Sequence, residues 1–210
     1  MPLATALAPA PAPGTAGGLA TAPAAGQAAR CPAGLLTALR RAVRQRGDWD
    51  QTSRRVARAL GRHLPGPEIL TAAERLGDPV EYQSHLMHAE PDGSFSVVAL
   101  VWRPGQITPI HDHVTWCVIG VLQGAEYEEL FALCEGGTVL EEVGTNAGAP
   151  GDVSGFAPPG DIHQVRNRGT GVAISLHVYG ADISRLGSSV RRIYDLPVRT
   201  APARRQDVSR

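Results

Sequence analysis

Four of the seven histidines in this chain stand where their side chains could act together. His111 and His113 are two residues apart within 105–124, an apolar, β-branched stretch in which an extended strand points both imidazoles to one face. His163 follows the turn Pro158-Pro159-Gly160, and His177 lies in the run Ser175-Leu176-His177-Val178-Tyr179. Neutral imidazole nitrogens held on a rigid element are metal ligands. A single strand histidine is most often an ordinary hydrogen-bonded polar side chain, but a pair with a third after a Gly-Pro turn is harder to explain that way. Strand alternation from His111 also carries Thr115, Cys117, Ile119 and Val121 to the same face, so the thiol of Cys117 is expected in the same pocket. Imidazole suits Zn, Cu, Ni and Fe alike, so spacing alone does not choose the metal.

The elements that must position these residues are strands. From about Val80 the hydrophobic pattern has period two, with runs near 80–88, 95–102, 107–122, 126–134, 138–143, 153–157, 162–167 and 172–179. Turn residues punctuate them, among them Pro91-Asp92-Gly93, Pro104-Gly105 and Glu135-Gly136-Gly137. Many short strands of this kind suit a sandwich or small closed barrel with a site in its mouth. Before them, amphipathic periodicity predicts helices over 33–46 (Leu35, Leu36, Leu39, Val43) and 49–63 (Trp49, Thr52, Val56, Leu60), and a short one near 67–76. The arginines of these helices fall mostly on the other faces, where a solvated surface is the usual outcome.

Residues 1–30 are nearly all Ala, Pro, Gly, Thr and Leu, uncharged before Arg30 and broken by prolines, and are expected to be disordered. They offer neither the basic start nor the uninterrupted apolar run of a signal peptide, and no stretch reads as a membrane span. One domain is expected over 31–188, with helices at 33–76 and the barrel at 80–180, followed by a partly ordered Arg-rich tail over 189–210. The formal net charge is zero and the basic residues are all arginine, so nucleic acid is not an expected partner. Cys31, Cys117 and Cys134 are odd in number and have no paired spacing, which argues for a reducing, cytoplasmic setting.

The spacing resembles the cupins. Gly105, His111, His113, position 117 and Gly124 fit the intervals of the first cupin motif, with Cys117 in place of its glutamate. Pro158, Gly160, His163 and Asn167 match the second, with its leading glycine, Gly151, one residue out of register. The resemblance implies an all-β cupin, a double-stranded β-helix or jelly-roll barrel, preceded by two or three short helices. Loss of the carboxylate leaves a ferrous ion its full double charge and favours an anionic ligand such as a thiolate. Within the cupins this pattern is similar to the thiol dioxygenases, the cysteine dioxygenase type I family.

That resemblance implies Fe(2+) held by His111, His113 and His163, a relay of Ser175, His177 and Tyr179, and a cysteine, Cys117, that in some members is thioether-linked to the relay tyrosine. It implies L-cysteine as first substrate, 3-mercaptopropionate or another small thiol carboxylate next, with O2 as co-substrate and a sulfinic acid as product. Tyr82-Gln83-Ser84-His85 aligns with the segment in which cysteine-selective members carry an arginine for the substrate carboxylate, and this chain has Ser84 there. Tyr82, Ser84, His85 and Gln83 are then the substrate-binding candidates. Arg166 and Arg168 have the wrong strand parity relative to His163. The competing expectation is a cupin that does not oxidise thiols, a sensor or an isomerase, and a sensor would need a DNA-reading module that 33–63 does not clearly supply. A purely structural cupin would not need three inward histidines. A monomer or small homo-oligomer is expected.

Overall fold

The computed structural model describes residues 19, 20 and 30–199. Helices α1 (Ala33–Val43) and α2 (Trp49–Arg62) form where the periodicity predicts them. Asp48 caps α2 by accepting from the Gln51 amide at 2.7 Å. The expected third helix is instead two single 3-10 turns, Pro67–Ile69 and Glu74–Leu76. Leu76 is left exposed there, so no apolar stripe holds a longer helix down.

Two six-stranded sheets follow. The first runs β1 (Leu19–Ala20), β2 (Gln83–Ala89), β3 (Ser96–Trp102), β10 (Ala173–Tyr179), β5 (Cys117–Gln123), β8 (Val153–Phe156). The second runs β11 (Val190–Ile193), β4 (His111–His113), β9 (His163–Arg166), β6 (Glu126–Cys134), β7 (Val139–Gly148), β12 (Val198–Arg199). The pairings are antiparallel except β1 on β2 and β12 on β7. Apart from Leu19–Ala20, which pair with Ser84 and His85, the disorder expected over 1–30 concerns positions outside the described residues up to Arg30, as does the tail beyond Arg199.

The first sheet is buried on both faces, which explains why β3 and β10 are buried at every position. Val97, Ala99 and Val101 of β3 and Ile174, Leu176 and Val178 of β10 face α1 and α2, where Leu35, Leu39, Val56 and Leu60 complete a core. Each such buried Val, Leu or Ile side chain stabilises the fold by about 2 kcal/mol relative to exposure. Gly120 permits the contact, since a Cβ there would lie 2.5 Å from Leu64 Cδ1. The alternate residues, Val98, Leu100, Trp102, Cys117, Ile119 and Tyr179, form a second cluster between the sheets.

The run 107–122 is not one strand. It breaks after His113: Val114 donates to the Ser189 carbonyl and the Trp116 carbonyl accepts from Gly180, so β4 ends in the second sheet and β5 begins in the first. Continuous alternation from His111 to Cys117 therefore fails as an argument. Thr115 falls at the break, buried against Gly180 rather than in the pocket. The Arg-rich segment after Asp182 contributes β11, which pairs along β4 opposite the histidines.

Candidate metal centre and relay

His111 and His113 sit two apart on β4, and His163 opens β9 directly across from His111. The three are 6%, 3% and 2% exposed, and their ligand atoms lie within 4.8 Å of one another. The Nε2 atoms of His163 and His111 are 3.3 Å apart. Behind each ring stands an acceptor for the other nitrogen. His111 Nδ1 faces the Pro109 carbonyl at 2.9 Å, His113 Nδ1 faces Asp161 at 3.1 Å, and His163 Nδ1 faces Glu128 at 2.5 Å. These partners select the tautomer with the proton on Nδ1, which leaves the Nε2 lone pairs free to meet at one point.

Electrostatics agree with that assignment. Burial, and then the neighbouring His163 and His113, hold His111 well below the usual imidazole value. Burial also lowers His113, against the pull of Asp161. Burial alone would raise Glu128, but hydrogen bonds from His163 and Asn146 outweigh it and keep the carboxyl below its ordinary range. Converging imidazole nitrogens, two backed by carboxylates and one by a backbone carbonyl, are the donor set of a divalent cation, and the residues fit one.

The first sheet faces this trio with a hydrogen-bonded run of Ser175, His177 and Tyr179. Ser175 Oγ is 2.9 Å from His177 Nε2, and His177 Nδ1 is 3.3 Å from the Tyr179 hydroxyl and 3.9 Å from Cys117 Sγ. Trp102 Nε1 donates to Ser175 Oγ at 3.3 Å. Tyr179 and Cys117 are direct cross-strand partners. Cys117 thus reaches the relay from its own strand, opposite Tyr179, and not by continuing β4. Burial pushes the Cys117 thiol and the Tyr179 phenol well above their usual values, so both keep their protons at neutral pH.

Between relay and histidines lies a cavity of about 80 Å³. Tyr82, Ser84, Thr108, Phe156, Ser188 and Ser189 help to line it, and Tyr82 stacks on Trp102 at 4.4 Å between centroids. Among the described residues no arginine lines it. The structure therefore brings Tyr82 and Ser84 to the histidines but not His85 or Gln83, whose strand parity is opposite. His85 Nδ1 turns to Glu74 at 3.6 Å. Arg166 and Arg168 are engaged by Glu129.

Glu128, Asp161 and Phe156 were not legible as site residues. Asp161 had a local signal, two residues before His163 in the same turn, whereas Glu128 arrives from β6 through tertiary pairing alone.

A family model described as cysteine dioxygenase type I matches residues 75–188. The chain belongs to that family. Its two sheets form the cupin barrel, and α1 and α2 precede the matched residues. Solved structures with a similar barrel include a Cupin 2 conserved barrel domain protein from Salinispora arenicola, 19% identical, with 47% of this chain and 74% of that one covered and a TM-score of 0.37. A cupin superfamily protein from Desulfitobacterium hafniense is 15% identical over 57% and 90%, TM-score 0.41. An RmlC-like cupin protein from Desulfovibrio desulfuricans is 20% identical over 49% and 86%, TM-score 0.37. No helix among the described residues is long and apolar enough to cross a membrane.

Proposed function

We propose that this chain is a mononuclear non-haem Fe(II) thiol dioxygenase that adds both atoms of O2 to the sulfur of a small thiol and yields a sulfinic acid. The observation that carries the reading, beside family membership, is three buried histidines whose ligand nitrogens converge on a cavity faced by a protonated tyrosine. Iron held by His111, His113 and His163 would supply the centre at which thiolate and dioxygen meet. The electrons lost by sulfur are those dioxygen takes up, so no external reductant enters.

The other residues position and protect. The site residues are themselves buried, which strengthens each polar contact among them. Tyr179 offers its hydroxyl proton to the reacting oxygen or sulfur, His177 fixes the direction of that hydroxyl, and Ser175, itself held by Trp102, fixes the imidazole. A thioether between Cys117 and Tyr179 would lock the phenol in place; peptide mapping that found only the free thiol and free tyrosine would remove that feature.

By resemblance L-cysteine comes first and 3-mercaptopropionate second. Both bring a carboxylate, and Ser84 offers it one hydroxyl in place of a charged, bidentate grip. The three free cysteines support a reducing, cytoplasmic location. The test is oxygen uptake by anaerobically iron-loaded protein with a panel of small thiols, the product read by mass. Uptake with sulfinate formation is expected. Bound iron with no uptake for any thiol would hand the site to a non-oxidising cupin, a sensor or an isomerase.

A further inference from the structure

A carboxylate that the scheme above does not use lies behind the relay. Glu126, on β6, is 6% exposed, and its Oε2 is buried without a hydrogen-bond partner. That oxygen is 3.8 Å from His177 Nε2, on the far side of the imidazole from Tyr179. The distance is too long for a hydrogen bond but suits an ion pair once the ring carries a second proton. Glu126 also lines a second cavity of about 270 Å³, with Glu128, Asn146, Asp152, Ile119 and Val121 among its walls. This cavity shares no lining residue with the first.

Buried carboxylate oxygens are rarely left without a donor, and each such exception calls for an explanation. The stoichiometry of the proposed reaction supplies one. A thiol and O2 become a sulfinate anion and a proton: the S–H and O–O bonds break, two S–O bonds form, sulfur is oxidised and dioxygen reduced, and one proton must leave a buried site. We propose that Glu126 and His177 take up the thiol proton and release it through the second cavity. The Tyr179 hydroxyl accepts the thiol proton as it passes its own to His177 Nδ1. The imidazolium so formed keeps its Nε2–H on Ser175 Oγ, at 2.9 Å, while its positive charge faces the Glu126 carboxylate 3.8 Å away, and the proton reaches solvent after the sulfinate departs.

Glu126 is thus a positioning and proton-holding residue, not one that touches substrate. The groups around it are consistent with this role. On its own strand stands Glu128, already committed to His163; from β10 come His177 and Ser175; from β5 comes Cys117; from β7 comes Asn146, which donates to Glu128; and Asp152 faces the cavity from the following turn. The negative charge of Glu126 is among the causes that hold both Cys117 and Tyr179 protonated. The inference rests on the dioxygenase reading.

The test mixes iron-loaded protein with L-cysteine, or with whichever thiol gives the fastest uptake, in the absence of oxygen, and counts protons released to a weakly buffered indicator per thiol bound. The wild type is expected to release well under one proton and Glu126→Gln close to one. In air Glu126→Gln should turn over at least about tenfold more slowly, with unchanged iron content. Glu126→Leu should do the same while raising Tm, because an unpaired buried charge is removed, an outcome a merely structural role would not give. Formate should restore part of the turnover of Glu126→Ala by entering the second cavity. Equal proton release and equal turnover in wild type and Glu126→Gln would overturn the inference and leave the dioxygenase reading standing. Failure of the wild type to bind or oxidise any thiol would overturn both.

Discussion

The two sheets meet at the site but prepare it by different means. The second sheet presents the three candidate metal ligands, and each has a polar partner behind it: Pro109, Asp161 or Glu128. The same strand is braced further by Asp112, which accepts from Arg191 and, at 2.8 Å, from the Tyr194 hydroxyl. The first sheet presents the candidate relay, set among Leu100, Trp102, Ile119 and Phe156. A ligand must be a neutral base aimed in one direction, which a hydrogen-bond acceptor behind it ensures. A relay must keep a proton that water would otherwise exchange, which an apolar setting ensures.

The largest separation between the halves should come from removing a ligand. His163→Ala should lose iron and turnover together, measured by metal analysis and oxygen uptake; full iron with full turnover would end the ligand assignment. Tyr179→Phe should instead lose about 10²-fold in kcat while keeping its iron, since one preorganised hydroxyl is removed and no ligand is touched. Glu128→Gln and Asp161→Asn should lie between these patterns, weakening iron binding by about 10- to 100-fold in a chelator competition and lowering turnover only as far as iron is lost.

The brace makes a smaller, pH-dependent contribution. Burial would raise the Asp112 carboxyl, but hydrogen bonds from Arg191 and Tyr194 outweigh it and hold it below its ordinary value. A depressed folded-state pKa gives stability that is present above the unfolded carboxylate value, about 3.9, and lost as pH falls through the lower folded value. Asp112→Asn should therefore reduce Tm near neutral pH and narrow its difference from the wild type as the medium becomes strongly acidic. Smallest of all, Ser84→Arg should shift preference toward carboxylate-bearing thiols, seen as a lower KM for L-cysteine relative to cysteamine. No change in that ratio would mean that position 84 does not face the substrate's carboxylate.

The same contrast explains what the chain discloses before it folds. Ser175, His177 and Tyr179 are readable together because they share one strand, and parity along β10 survives intact, with Ile174, Leu176 and Val178 turned to the helices. His111, His113 and His163 are readable because their spacing within each motif is local. Parity misleads across Val114–Trp116, where the chain leaves one sheet for the other, and it placed Thr115 in a pocket it does not enter. Cys117 reaches the relay all the same, through its pairing with Tyr179. Glu126 and Glu128 could not be read in advance: both lie in a charged alternation on β6 that looks like a solvated strand, and only pairing of β6 with β9 turns Glu128 toward His163. His85, one residue from Ser84, turns to the opposite face of the sheet and meets Glu74 there.

The account stands on one chemical claim, that both atoms of a single dioxygen are delivered to sulfur at the His111, His113 and His163 centre. Turnover under ¹⁸O₂ in ordinary water, with the product read by mass, tests it most directly. The account predicts a sulfinate in which both new oxygens carry the label. A sulfinate with one labelled and one solvent-derived oxygen, or a disulfide with no oxygen added, would contradict it.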